Sequence, residues 1–346
     1  MTLTNQNPFA EISELPFQLP DFSAIRDEHY LPAFLAGCEA QLLEVEQILA
    51  QSDVTFENTI LALERSGQLL SRVLEAFYNK SSADTNPEID RIETEIAPKL
   101  AQHEDAIRLN PALFARIKTL FEKRDQLNLD AESAWLIERY HRDFVHAGAA
   151  LDDEARKRLS ELNEQLSILS TKFDQNLHSD SNELAIWISD VAMLEGLSSD
   201  EISSAAAAAA SRGEADKWLI MMVNYTGNPL LASLKNRELR KQIMQAALAK
   251  GGRDNGFDNK QTLLEMARLR AQRANLLGFA SHAEYVLDDE TAKNPRNVHK
   301  LFERLVPAAV RNANAEAKKL AALALELDGI TDFASWDWDY YAQILK

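Results

Sequence analysis

Three observations predict an all-α protein. Only 11 Gly and 10 Pro punctuate 346 residues, so the regular elements between breakers are long. Ala, Leu, Glu, Lys, Arg and Gln, all strong helix formers, dominate nearly every window. Apolar residues recur at three-, four- and seven-residue steps, the period of a helix that buries one stripe. The expected architecture is mainly long antiparallel helices joined by short loops, with at most a small β-hairpin near 184–223.

The elements follow in order. A lead-in marked by Pro8, Pro16 and Pro20 is expected to be irregular over 1–28, and helical periodicity takes over from Tyr30. Ile60, Leu63, Leu70, Val73, Leu74 and Phe77 predict one helix with a single buried stripe over about 56–80. Asn86-Pro87 and Asn110-Pro111 each set a capping Asn before a Pro at the first helical position, opening two further helices. The next helix is expected over about 130–145. Asp152 begins another, whose face is marked by Leu159, Leu162, Leu166, Leu169 and Phe173 through about His178.

The helical stripe lapses between about Glu183 and Tyr225. The runs 184–188 and 218–223, the latter ending at Val223, are short, apolar and rich in β-branched and aromatic residues, which predicts two strands. Between them Ser198 and Glu201 form a capping-box pattern, followed by the Ala run 205–210 and a stop at Gly213. Helices resume over 237–248 and 258–277, the second with Asp258 or Asn259 as N-cap and Gly278 as its stop. A last long helix runs from Asn294-Pro295 to about Leu327, where Pro307 is expected to break or kink it. Ser335 then reads as an N-cap, with Asp337 and Asp339 in the first turn where the helix dipole favours acids. No Gly, Asn or Pro follows before Lys346, so this helix is expected to continue and the chain to be part of a longer protein. The stretches read as an irregular lead-in (1–28), a helical bundle (29–180), a mixed segment (181–228) and a second helical region (229–346).

A hydrophobic content of 46% supports a sizeable core, and the formal net charge is −17. That field repels nucleic-acid phosphates and anionic lipid, so neither nucleic acid nor membrane is an expected partner. Cys38 is alone, which excludes an intramolecular disulfide and suits a reducing compartment; its neighbours Phe34, Leu35 and Leu42 mark it as a small core residue. The first residues have neither a basic nor an apolar leader segment, and a cytoplasmic location is expected.

Seven histidines are present, at 29, 103, 141, 146, 178, 282 and 299. A helical zinc site of the His-Glu-x-x-His type needs two imidazoles one turn apart. His103-Glu104 starts this pattern, but Ile107 stands where the second ligand belongs. His141 and His146 lie roughly 140° apart around a helix and do not share a metal. Surface or interhelical hydrogen bonding is the expected role of these histidines. From Asp254 to Glu265 the spacing suggests a calcium loop, but Gly256 and Asn259 occupy positions that need an oxygen ligand and a Gly. Gly251-Gly252 follows a helix, not a strand, so no phosphate loop is supported, and no Gly-x-Ser-x-Gly elbow is present.

Several segments together nevertheless match one family. Asn7-Pro8-Phe9, the run from His29 to Phe34, that from Phe56 to Gly67, that from Leu269 to Phe279, and Trp336-Asp337-Trp338-Asp339-Tyr340-Tyr341 resemble the N-terminal half of the thimet-oligopeptidase family of zinc peptidases, most of all its bacterial peptidyl-dipeptidase (dipeptidyl carboxypeptidase) branch. The resemblance implies a helical, clam-like enzyme in which an N-terminal half and a zinc-binding C-terminal half face each other across a channel for oligopeptide substrates. It implies zinc as cofactor of the full-length enzyme, with release of C-terminal dipeptides. The family's zinc motif is absent from this sequence, so no catalytic or metal-binding residue is assigned, and the chain alone is expected to bind no zinc and to be inactive. Trp336, Asp337, Tyr340 and Tyr341 are the candidate channel or domain-junction residues, since spacings of three and four put the last three on one helical face. The other reading is a non-catalytic helical peptide- or protein-binding protein derived from such a peptidase.

Overall fold

A computed structural model describes residues 3, 4, 6–222 and 229–346. Helices dominate it: α1 (Asp27–Leu49), α2 (Ala62–Glu64), α3 (Gln68–Ala83), α4 (Pro87–Arg108), α5 (Pro111–Lys123), α6 (Ala131–Ala147), α7 (Asp153–Glu183), α8 (Ser199–Ala210), α9 (Arg237–Ala249), α10 (Lys260–Leu276), α11 (His282–Leu287), α12 (Pro295–Asp328) and α13 (Trp338–Leu345). Two strands, β1 (Ile186–Ile188) and β2 (Trp218–Ile220), pair antiparallel with Trp187 opposite Leu219. This is the all-α fold with one small hairpin that the residue periodicity predicts. The second predicted strand reached Val223, which lies outside the described residues. The chain divides into two compact units: Met1–Lys172 with Met266–Tyr285, and Phe173–Glu265 with Val286–Lys346.

Two clusters of buried side chains organise the N-terminal part of the first unit. Tyr30, Phe34, Leu70, Val73, Phe77, Ile89, Ile92 and Ile96 join α1, α3 and α4, while Ile60, Leu63, Leu113, Ile117, Leu120, Ile137 and Phe144 join the segment around α2 to α5 and α6. The single helix expected over 56–80 is therefore corrected to two pieces, and its single stripe to two. A π-helical turn, Glu57–Leu61, leads into α2, and Gly67 breaks the run at φ 73° before α3 begins. Only Gly enters that left-handed region without strain, and the freed Gly67 N–H donates to Glu44 Oε2 at 2.7 Å. Apolar periodicity persisted across the break because both faces are buried, though against different partners. At Gly37 an added Cβ would lie 2.9 Å from Leu70 Cα, so α1 and α3 meet backbone to backbone.

Several residues of the matched segments do structural work here. Phe9 is buried against Tyr30, and Asn7 Nδ2 donates to the His29 carbonyl at 2.9 Å, which fixes the lead-in to the start of α1. Asn58 and Thr59 in the π-helical turn accept from the buried Arg116 guanidinium, at 3.0 and 3.2 Å, and it also donates to the carbonyls of Gln51 and Asp53. The Asn86 and Asn110 caps form as expected, each side chain accepting two backbone N–H groups. Cys38 packs half-buried on the first core, where burial pushes its thiol up to about 11.

In the second unit the hairpin, α8 and α9 enclose Ile188, Leu194, Ile220, Leu231, Leu234, Leu239 and Ile243. The Ser198–Glu201 capping box forms, with Ser198 N–H donating to Glu201 Oε2 at 2.7 Å. α7 runs beyond the expected His178 to Glu183. Near its end the fully buried Asp180 accepts from Gly251 N–H at 2.7 Å, from Asn255 Nδ2 and from the Arg253 guanidinium. Asp258, not Asn259, caps α10 by accepting from Lys260 N–H, because the Asn259 side chain is engaged with Asn176 and the Phe173 carbonyl. α12 passes through Pro307 without breaking. Pro307 is exposed and lacks the N–H that would have bonded the Glu303 carbonyl.

Candidate functional site

The segment from Ser335 to Tyr341 folds against α9, and its details correct the sequence reading. Ser335 is not the N-cap. Ser335–Asp337 form a 3-10 turn, α13 starts at Trp338, and the Ser335 side chain makes no capping bond. The capping role falls to Asp337, whose Oδ2 accepts from Ala334 N–H at 3.1 Å. That geometry turns the carboxylate inward, where it is fully buried.

What receives it is a pair of arginines in the first turn of α9, three residues apart and therefore on one face. Arg237 makes a forked contact, Nε to Oδ1 at 3.0 Å and Nη2 to Oδ2 at 2.9 Å, and Arg240 Nη2 reaches Oδ1 at 2.9 Å. Arg240 is itself 1% exposed. Its remaining donors go to the carbonyls of Leu234, Lys235 and Trp336 at 2.9, 3.0 and 3.1 Å. Two cations at a helix N-terminus oppose the dipole, and Asp337 offsets both. Burial would push its carboxyl up, but the hydrogen bonds from Arg237 and Arg240 outweigh this and hold it below the ordinary Asp value.

The aromatic residues complete the knot. The Arg240 guanidinium carbon stands 4.3 Å from the centre of the Tyr340 ring, a stacked cation–π contact. Tyr341 is buried among Leu320, Ala324 and Phe333, and its hydroxyl donates to Asp328 Oδ2 at 2.5 Å. Burial and that hydrogen bond both raise its pKa. Trp336 lies half-buried with Lys241 Nζ 5.6 Å from its ring centre, and its buried Nε1 has no hydrogen-bond partner. Asp337, Tyr340 and Tyr341 are thus brought together around Arg240, and Trp336 contributes its carbonyl. Chemically the arrangement is an anchor: the carboxylate oxygens and the Arg240 donors are occupied by protein.

Sequence reasoning missed both arginines. The available signal was two Arg directly after Asn236, whose side chain caps α9 by accepting from Leu239 N–H at 3.0 Å; cations in that position call for a buried anion. No histidine is among the residues that form this site. His103 is buried in the first unit, its Nε2 2.7 Å from Gln41 Oε1, beside a polar cavity of about 450 Å³, and burial lowers its pKa. His141 stacks on Phe121 at 3.9 Å, and His146 Nε2 donates to the Tyr285 carbonyl at 3.0 Å. Among the described residues no group of three or more His, Cys, Asp or Glu is placed to hold a metal ion. No described helix is long and apolar enough to cross a membrane.

Comparison with known proteins agrees with the motif's position. The profile described as "Peptidase family M3" matches residues 230–346, which include α9 and the whole knot. The chain is 35% identical over 345 residues to dipeptidyl carboxypeptidase of Escherichia coli (strain K12), an alignment covering 99% of this chain and 51% of that protein. It is 36% identical to dipeptidyl carboxypeptidase of Salmonella typhimurium (98% and 50% covered) and 26% identical to oligopeptidase A of Haemophilus influenzae (99% and 50% covered). The chain spans about half the length of these curated relatives. Nearly the whole chain is thus similar to half of a dipeptidyl carboxypeptidase, and residues 230–346 match the family M3 profile.

Proposed function

We propose that this chain is the N-terminal, substrate-channel half of a cytoplasmic zinc-dependent peptidyl-dipeptidase that releases C-terminal dipeptides from oligopeptides. The carrying observation is the alignment of 345 residues, at 35% identity, with half of a dipeptidyl carboxypeptidase. In this reading the zinc and the groups that activate water belong to the other half, and this chain binds and orients the peptide. The knot around Arg240 then fixes the junction between the halves: Asp337 and Tyr341 hold α13 in place, and Trp336 and Tyr340, both only half-buried, face the junction or the channel. The free Trp336 Nε1 supports this placement, because a buried donor without a partner is rare in a finished interface.

The test compares the 346-residue chain with a polypeptide that continues from Lys346 into the second half of the Escherichia coli dipeptidyl carboxypeptidase. After dialysis against a weak chelator, the longer protein should keep one zinc and release dipeptides from a free C-terminus, and the 346-residue chain should do neither. Stoichiometric zinc with chelator-sensitive cleavage by the 346 residues alone would refute the half-enzyme reading. A longer protein that binds zinc but cuts no peptide would refute the activity.

A further inference from the structure

α12 carries an apolar stripe that is covered at one end only. Toward its C-terminus Leu320 and Ala324 are buried under Tyr341 of α13. The same face continues toward the N-terminus as Val298, Leu301, Phe302, Leu305, Val306 and Val310, at helical spacing. From Leu301 to Val310 these side chains are 48–56% exposed. At about 1.5 Å per residue the helix is roughly 51 Å long, while α13 offers eight residues to cover it. A contiguous exposed patch of this kind marks an interaction surface.

Net charge and the length of the relatives narrow the occupant. The chain carries a net charge of −17. A second copy of the chain would bring the same −17 to the contact and be repelled. Half of the relatives' length lies outside the match, and the buried end of the stripe is already an interface with the last helix of this chain. We propose that the stripe from Val298 to Val310 is the docking face for the second, zinc-binding half, which covers it with an apolar surface. The inference rests on the half-enzyme reading and adds to it the surface that joins the halves, which lies on α12 in addition to the Trp336–Tyr341 knot.

The experiment uses cysteine protection in a Cys38→Ser background, read peptide by peptide by mass spectrometry. Leu301→Cys and Leu305→Cys report on the stripe; Lys300→Cys and Arg311→Cys report on the opposite face. In the 346-residue chain all four should react at similar rates with a small maleimide. In the longer polypeptide described above, the two stripe positions should react at least about tenfold more slowly, because labelling then requires local opening, and the two opposite-face positions should not change. Unprotected stripe cysteines in a longer protein that binds zinc and cleaves peptides would overturn this inference and leave the proposed function standing. Protected stripe cysteines in a longer protein without activity would do the reverse. Protection already present in the 346-residue chain and growing with its concentration would assign the face to a second copy and also overturn the inference.

Discussion

Replacing Asp337 with Asn keeps the side chain's size and removes the anion that Arg237 and Arg240 share. Arg237 is 31% exposed and retains Asp332 as a partner, so water screens much of its loss. Arg240 is 1% exposed and has no other carboxylate within an ion-pair distance among the described residues. Breaking a buried pair from one side strands the other charge, at about 3–5 kcal/mol. Three carbonyls and the Tyr340 face still hold Arg240, which argues for the lower end, about 3 kcal/mol. For a unit of this size that corresponds to a fall in Tm of roughly 6–12 °C. Urea unfolding followed by tryptophan fluorescence reads the change directly, since Trp336 and Trp338 flank the substitution. Arg237→Gln in the same assay should cost about 1 kcal/mol. A loss below about 1 kcal/mol for Asp337→Asn, or an equal loss for the two variants, would show that the pair is not the buried anchor described.

The same carboxylate gives a pH dependence. Its folded pKa is depressed below the ordinary 3.8, as is that of Asp180, so the unfolded state binds more protons in acid. That stabilisation should be complete above about pH 4 and lost as pH falls through the depressed values; acid unfolding curves of wild type and Asp337→Asn should therefore converge below pH 3.8, and parallel curves would contradict the assignment. Gly37→Ala gains helix propensity of up to about 1 kcal/mol, but its Cβ meets the Leu70 backbone at 2.9–3.0 Å and must part α1 from α3, so a net loss of about 1–2 kcal/mol is expected in a thermal melt, and a stabilised variant would disprove the close approach. Asn86→Ala removes the cap of α4 together with the bond from Asn86 Nδ2 to Asp27 Oδ2 at 2.8 Å; a loss of about 1–2 kcal/mol is expected, and a value within a few tenths of zero would argue that the cap is replaced by water.

The sequence by itself determined the helical class, most helix starts and the hairpin, because these depend on local chemistry. Asn before Pro caps a helix wherever it stands, and the lapse of the helical stripe near 184–223 follows from residue order alone. It also carried the family relationship through a motif whose aromatic and acidic residues are legible one by one. Tertiary structure alone decided which core each apolar residue joins. Ile60 and Leu70 continue one pattern in the sequence and are buried in different cores, since periodicity reports that a face is covered and not by what. It alone decided that Asp337, a favourable first-turn acid in the sequence, is the buried counter-ion of two arginines 97 and 100 residues earlier. Ser335 lost the capping role because it lies inside the 3-10 turn, three residues before α13 begins. The stripe of α12 reads in sequence like any core-facing helix, and only the fold shows that its side chains from Leu301 to Val310 are exposed.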